Sequence, residues 1–254
     1  MTLVGAYIPD SPDISLGERR GFDNTDTNDK GILFQANVEQ VVQELSKREI
    51  LHEWKKDIYE REVIISEYFG WVIYQLKNHH WCVIQQNTSI IRDAYFEIHH
   101  AKVLSDWLQT KCIYYLFSDT SNTLVYQIYD KGQCQERCYF NPNDTREYQE
   151  VESALNDLVF TPQETLEGEF EELPVLFQSK IRLIPNKYFN PWDYIDIWLA
   201  EQGAYIPTIR WGANPRLRPG ERHIISIRGL SRQQVRMDYV TLNSGWKKAF
   251  TTEK

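Results

Sequence analysis

The chain has 254 residues, 42% hydrophobic and 25% charged, which is ordinary for a folded soluble protein of one large or two small domains. Its longest clear apolar run, residues 112–117, is too short to cross a bilayer, and residues 1–10 lack the basic start and apolar stretch of a secretory signal. The net charge is −8 and the four cysteines are too few for a disulfide framework, so we expect an acidic cytoplasmic protein.

Residues 1–36 are rich in Pro, Gly, Asp, Asn and Thr, which predicts an N-terminal arm with an exposed loop over residues 23–29. The acidic and amide side chains of this loop suggest calcium binding. An EF-hand, however, requires a central Gly and a Glu at its twelfth position, where this chain has Asn28 and Phe34. A solvated loop is therefore the favoured interpretation.

An α+β core is predicted over residues 37–160. Its first helix follows a capping box formed by Asn37 and Gln40. A second helix is predicted over residues 97–109, and strands over residues 71–76, 81–86, 112–117, 124–129 and 133–140. The strand 112–117 is apolar on both faces and is placed in the middle of a sheet, whereas 124–129 is predicted to be half-buried. Short connections favour a mainly antiparallel sheet with helices packed on one face.

The rest of the chain is predicted to pack on this core as a smaller unit. Asp144 and Glu147 predict one more helix within the core, and residues 161–185 form an acidic connection. Residues 186–254 then form a basic C-terminal α/β module. Its helix begins at Asn190-Pro191 and ends near Gly203, and short strands follow over residues 224–227 and 239–242.

The sequence offers no strong catalytic or metal-binding motif. Cys134 and Cys138 would lie about 13 Å apart on one strand at ~3.3 Å per residue, too far to share an ion. Residues 118–121 follow a buried strand as in an aspartic protease but lack its Gly, so Asp119 is interpreted as a cap on the strand connection. We predict no catalytic residue, metal or cofactor. A hydrolase with a site near Asp119 and His79, a loop histidine expected to face solvent, is a third hypothesis.

The charge is divided unevenly along the chain. Residues 205–254 contain seven Arg and three Lys against three acidic residues, a net +7, which leaves −15 for residues 1–204. The basic part either docks on the acidic part, with Arg232 and Arg236 paired to carboxylates, or binds an anionic partner. In a nucleic-acid-binding protein, Trp211 could stack on a base while the arginines at positions 210, 216 and 218 neutralise phosphates. We favour internal docking.

Aromatic residues make up 13% of the chain, and several tyrosines alternate with polar residues on predicted strands. Aromatic and Arg side chains are enriched at interaction surfaces. The candidate binding residues are Tyr129, Arg137, Tyr139, Arg210, Trp211, Arg216 and Arg218. We expect a non-enzymatic protein-binding protein of regulatory or immunity type that blocks a basic target. The alternative is a nucleic-acid-associated protein that uses the Arg-rich C-terminal segment, and no membrane partner is expected.

Residues 118–121 read Ser-Asp-Thr-Ser, residues 126–132 read Tyr-Gln-Ile-Tyr-Asp-Lys-Gly, and residues 197–207 read Ile-Trp-Leu-Ala-Glu-Gln-Gly-Ala-Tyr-Ile-Pro. Together with the remainder of residues 101–132, these passages resemble a family of uncharacterised bacterial proteins. The resemblance covers about half of the chain. It implies a bacterial soluble α+β protein and no catalytic residues.

Overall fold

The computed structural model describes most of the chain in ten segments. These are residues 15–23, 28–64, 70–85, 98–118, 123–140, 172–176, 181–185, 191–210, 222–243 and 246–250. The predicted helix that begins at Asp144 lies outside them. Of the predicted acidic connection 161–185, the described part is an antiparallel hairpin.

The described elements comprise helices and short and long strands. The helices are α1 (Val38–Lys47), α2 (Ile98–Leu108), α3 (Pro191–Glu201) and α4 (Trp246–Ala249), with a 3-10 turn at Leu16–Glu18. In chain order the strands are β1 (Gly21–Phe22), β2 (Asn28–Phe34), β3 (Leu51–Lys55), β4 (Glu62–Ile64), β5 (Gly70–Leu76), β6 (Cys82–Gln85), β7 (Lys111–Ser118), β8 (Thr123–Asp130), β9 (Gln133–Phe140), β10 (Glu172–Leu176), β11 (Ile181–Pro185), β12 (Tyr205–Ile206), β13 (Ile209–Arg210), β14 (Arg222–Ile224), β15 (Ser226–Ile227) and β16 (Val235–Leu242).

The centre of the fold is an eight-stranded sheet in the order β3-β16-β5-β6-β2-β7-β8-β9. Every neighbouring pair in it is antiparallel. The α+β class and the antiparallel sheet are therefore confirmed. The predicted central strand is β7, which lies between β2 and β8 and is buried on both faces from Cys112 to Tyr115.

Both faces of this sheet are covered, and the two helices of the predicted core, α1 and α2, share one face as predicted. On one face, α1, α2 and α4 pack on side chains such as Ile32, Ile73 and Val240. On the other face, α3 packs through Ile195 and Leu199 together with the short strands of the C-terminal part. Strand β8 is covered on both sides as a result, and its predicted half-buried pattern is wrong because all residues from 124 to 129 are buried.

Two strands of the sheet come from parts of the sequence that we predicted to lie outside the core. Strand β2, in the predicted N-terminal arm, pairs with both β6 and β7. Position 31 requires glycine, because the Cβ atom of any other residue would lie only 2.9 Å from the Ile84 carbonyl oxygen. Strand β16, in the predicted C-terminal module, pairs with both β3 and β5. Residues 186–254 therefore contribute a strand to the core sheet as well as packing on it.

Local chain signals were accurate where they were strong. The Asn37 side chain accepts a hydrogen bond from the Gln40 backbone N–H, and the Gln40 side chain accepts one from Asn37 in return. Gly132 follows β8 with a φ of +76°, and Gly203 follows α3 with a φ of +69°. These are conformations that glycine adopts at least cost, so both residues end their elements as predicted.

Candidate functional site

The predicted binding residues do not converge on one surface. Tyr129 is 1% exposed and its hydroxyl donates a hydrogen bond to Gln127, so its ring belongs to the core and not to an exposed sheet face. Arg137 and Tyr139 lie on β9, at the edge of the sheet, and the structure describes only their backbone. Trp211, Arg216 and Arg218 lie outside the described residues. Arg210 is exposed on β13.

The clearest surface feature is the segment 222–228, formed by β14, β15 and Arg228, which opens the turn after β15. Its side chains alternate, with positions 223, 225 and 227 buried, positions 222, 224 and 228 exposed and position 226 half-buried. A strand that lies flat on a core shows this period of two. The segment therefore has one face packed on the protein and one face directed to solvent.

The buried face of this segment is held firmly. Ile225 and Ile227 are 0% and 2% exposed and belong to the core that covers the sheet. The Tyr59 hydroxyl lies 2.6 Å from the Leu230 carbonyl oxygen, to which it donates, and it accepts a hydrogen bond from the Ile227 N–H at 3.2 Å. Burial is the main cause that raises the pKa of Tyr59, so this hydroxyl stays neutral and keeps both bonds.

Neighbouring strands complete the solvent-directed face. In β4, Ile64 lies opposite Arg222 and Glu62 lies opposite Ile224, while β13 places Arg210 opposite Ser226. We call this array the ribbon face, defined by Glu62, Ile64, Arg210, Arg222, Ile224, Ser226 and Arg228.

The ribbon face combines apolar and cationic groups. Ile64 is 49% exposed and Ile224 50%, and with Ile197 on α3 they are the large hydrophobic side chains exposed among the described residues. Arg222 and Glu62 form an ion pair of 3.2 Å with side chains 70% and 61% exposed. Three Arg against one Glu give this face a net charge of +2. It does not present the acidic surface that we expected to meet a basic target.

Two other C-terminal arginines pair with carboxylates of the same chain, as the docking interpretation predicts. Arg232 pairs with Asp57, and Arg236 contacts Glu39 at 3.2 Å. Arg236 also donates two hydrogen bonds, of 2.6 and 2.8 Å, to the fully buried Asp238 carboxylate. The same carboxylate accepts bonds from the Trp54 indole N–H and the Asp57 backbone N–H, each 2.8 Å long. The hydrogen bonds to Asp238 raise the pKa of Arg236, so its guanidinium stays charged.

His79 does not offer a catalytic base. It is 5% exposed, which corrects the expectation that it faces solvent. Its Nδ1 accepts a hydrogen bond from the Trp81 N–H at 3.2 Å, and its Nε2 lies 3.1 Å from the Arg19 carbonyl oxygen, which assigns the proton to Nε2. Burial lowers the pKa of His79, so the ring is neutral and both nitrogens are engaged. Asp119, its suggested partner, lies outside the described residues.

A buried polar cluster joins β2, β6 and β7, and sequence reasoning missed it. The Asp29 carboxylate is 5% exposed. Gln85 Nε2 donates hydrogen bonds to both of its oxygens, each 2.7 Å long, and the Tyr115 hydroxyl donates a third of 2.9 Å. Tyr74 donates to the Gln85 side-chain oxygen at 3.2 Å, and burial, followed by the Asp29 charge, raises its pKa. Donors surround this carboxylate, so it anchors β2 in the sheet and is poorly placed to accept a substrate proton.

Metal and membrane signals are weak in the part of the chain that the structure describes. No group of three or more His, Cys, Asp or Glu side chains there is arranged to hold a metal ion. None of the helices described is long and apolar enough to span a bilayer.

No protein-family model, curated protein or solved structure matches this chain. The resemblance of residues 101–132 and 197–207 to a bacterial family therefore stays a prediction.

The ribbon face had a usable signal in the sequence. Residues 222–228 read Arg-His-Ile-Ile-Ser-Ile-Arg, and a period of two places both end arginines on the same side as Ile224. The strand predicted over residues 224–227 covers the centre of this alternation but not its flanks. No local sequence pattern indicates that Glu62 and Ile64 belong to this face, because β4 and β14 are far apart in the chain and pair only in the folded protein.

Proposed function

We propose that this protein is a non-enzymatic, cytoplasmic protein of regulatory or immunity type that acts by binding another protein. The ribbon face is its docking surface. The observation that supports this proposal is the pair of half-exposed isoleucines, Ile64 and Ile224, on a ribbon whose inner face is fully packed. Apolar side chains bordered by Arg are typical of the centre of a protein interface.

The exposed isoleucines are sufficient for a modest interface. Complete burial of one Ile side chain stabilises a complex by about 1.5–3 kcal/mol, so covering the exposed half of each contributes roughly 1 kcal/mol. Both together contribute roughly 2 kcal/mol, or about a 30-fold gain in affinity. The bonds of Tyr59 to the segment hold it in one conformation in the free protein, which reduces the entropy lost on binding.

Affinity capture with matched variants tests this function. The purified protein is immobilised and exposed to host lysate with and without nuclease, beside an Ile64→Ser/Ile224→Ser variant. Ile197→Ser is the matched control, because Ile197 is 41% exposed but lies on α3 and is not part of the ribbon face. We expect a nuclease-resistant protein partner that the wild type and the control retain and the double variant loses. Equal retention by all three proteins would contradict the proposal.

A second candidate function is nucleic-acid binding, favoured by the exposure of Arg210, Arg222 and Arg228 on one face. Two features weigh against it. The whole chain carries a charge of −8, which repels a polyanion, and the ribbon face has isoleucines where single-strand binders have stacking aromatic rings. Anisotropy with an oligothymidylate across a salt series distinguishes it, because binding would weaken with a log–log slope of about −0.7 per phosphate neutralised.

A further inference from the structure

We propose that the partner segment received by the ribbon face is acidic and extended, with two carboxylates separated by apolar side chains. This inference rests on the proposed protein-binding function and specifies the chemistry of the partner. It is drawn from the spacing and charge of the segment 222–228.

The spacing suits an extended partner. Arg222 opens β14 and Arg228 opens the turn after β15, six residues later, so the two lie at most about 20 Å apart, and Ile224 lies about 7 Å from Arg222 along β14. An extended peptide repeats its own side chains at the same interval on one face. Carboxylates at its first and seventh positions can therefore reach the two arginines while an apolar side chain at its third position covers Ile224.

The charges on the face are available to such a partner. No ion pair joins Arg210 or Arg228 to another residue within the segments that the structure describes. Arg222 pairs with Glu62, but both side chains are mostly exposed, and exposed pairs of this kind are weak enough to exchange for a new carboxylate. Positive charge thus flanks the isoleucines at both ends of the segment.

The observations favour an acidic protein segment over a nucleic acid. The net charge of −8 opposes a polymer with one charge per nucleotide more strongly than a segment with two carboxylates. The central contact of the face is aliphatic, and aliphatic side chains bury apolar side chains of a partner but provide no stacking platform for bases.

The test is a titration of the isotopically labelled protein, observed through its amide and Arg side-chain NMR signals. The probe is the heptapeptide Glu-Ser-Leu-Ser-Leu-Ser-Glu, added to millimolar concentration because the contact is small. The comparison probes are the same peptide with Lys at both ends and a twelve-nucleotide oligothymidylate. We expect the acidic peptide alone to shift the signals of residues 222–228 and 62–64.

Variants separate the charges from the apolar contact. Arg222→Gln/Arg228→Gln should weaken binding of the acidic peptide about tenfold, whereas Arg232→Gln, which removes an arginine that pairs with Asp57 and is not part of the ribbon face, should leave it unchanged. The substituted side chains are exposed, so an unchanged spectrum away from the ribbon face confirms that each variant is folded.

Each outcome decides the inference. Equal binding of the lysine peptide, stronger shifts from the oligonucleotide, or a self-association of the free protein that Ile64→Ser/Ile224→Ser abolishes would overturn it. If the acidic peptide fails while the captured protein partner is still lost in Ile64→Ser/Ile224→Ser, the partner chemistry is wrong and the binding function stands. If no partner depends on these isoleucines, the binding function itself fails.

Discussion

Replacement of Arg236 by Met should strongly destabilise the protein, because it leaves the Asp238 carboxylate buried without its cation. Asp238 is 0% exposed, and Arg236 supplies two of its four hydrogen bonds. Removing one member of a buried ion pair costs about 3–5 kcal/mol. Since the Arg236 side chain is 35% exposed and water can replace part of it, we expect the lower end, about 3 kcal/mol.

Urea and thermal unfolding measure this cost. For a chain of this size, about 3 kcal/mol corresponds to a decrease in Tm of roughly 6–12 °C. The matched control is Arg232→Met, which breaks an exposed pair with Asp57 and should cost less than about 1 kcal/mol. A double-mutant cycle with Asp238→Asn should give a coupling of about 2 kcal/mol. A loss below about 1 kcal/mol for Arg236→Met, or a coupling near zero, would refute the reasoning.

Three further expectations follow from buried groups. Burial lowers the pKa of His100 to about 2, whereas a His in the unfolded chain takes up a proton below about pH 6.5. Acidification from pH 7 to pH 5 therefore stabilises the unfolded state. In urea titrations, the free energy of unfolding of the wild type should fall by about 2 kcal/mol more than that of His100→Leu. Gly70→Ala should cost about 2 kcal/mol, measured by the same method, because its Cβ would lie 1.9 Å from the Tyr239 hydroxyl oxygen. Cys82 and Cys112 are 0% exposed and burial raises both thiol pKa values, so iodoacetamide should modify them only after unfolding, as mass spectrometry would detect.

The elements that could be predicted are those with a strong local pattern. Helix α1 has its capping box and apolar stripe within eleven residues, and β7 is apolar on both faces, as a strand covered on both sides must be. Strand β2 was missed because its Asn, Asp, Lys and Gly residues are typical of loops. They are accommodated by tertiary contacts instead, with Asp29 bonded to Gln85 and Tyr115. Such contacts connect residues far apart in the chain, and no local pattern contains them.

The candidate site illustrates the same limit. Charge counting draws attention to the C-terminal arginines but does not sort them into paired and exposed groups. Arg232 and Arg236 meet carboxylates of α1 and of the chain after β3, while Arg228 is exposed. This sorting depends on how β16 inserts into the sheet, whereas the hydrophobic pattern predicts only a short strand over residues 239–242.

The position of β16 has a consequence for protein synthesis. Strand β5 is complete at Leu76, but its partner β16 begins at Val235, so the ribosome adds more than 150 residues before the two can pair. At about 5–20 residues per second, this interval lasts on the order of ten to thirty seconds. During it the apolar edge of β5 lacks its native neighbour and is a template for pairing with other nascent chains. A chaperone that shields residues 70–76 should therefore increase the yield of folded protein, and a chain stalled before residue 235 should aggregate.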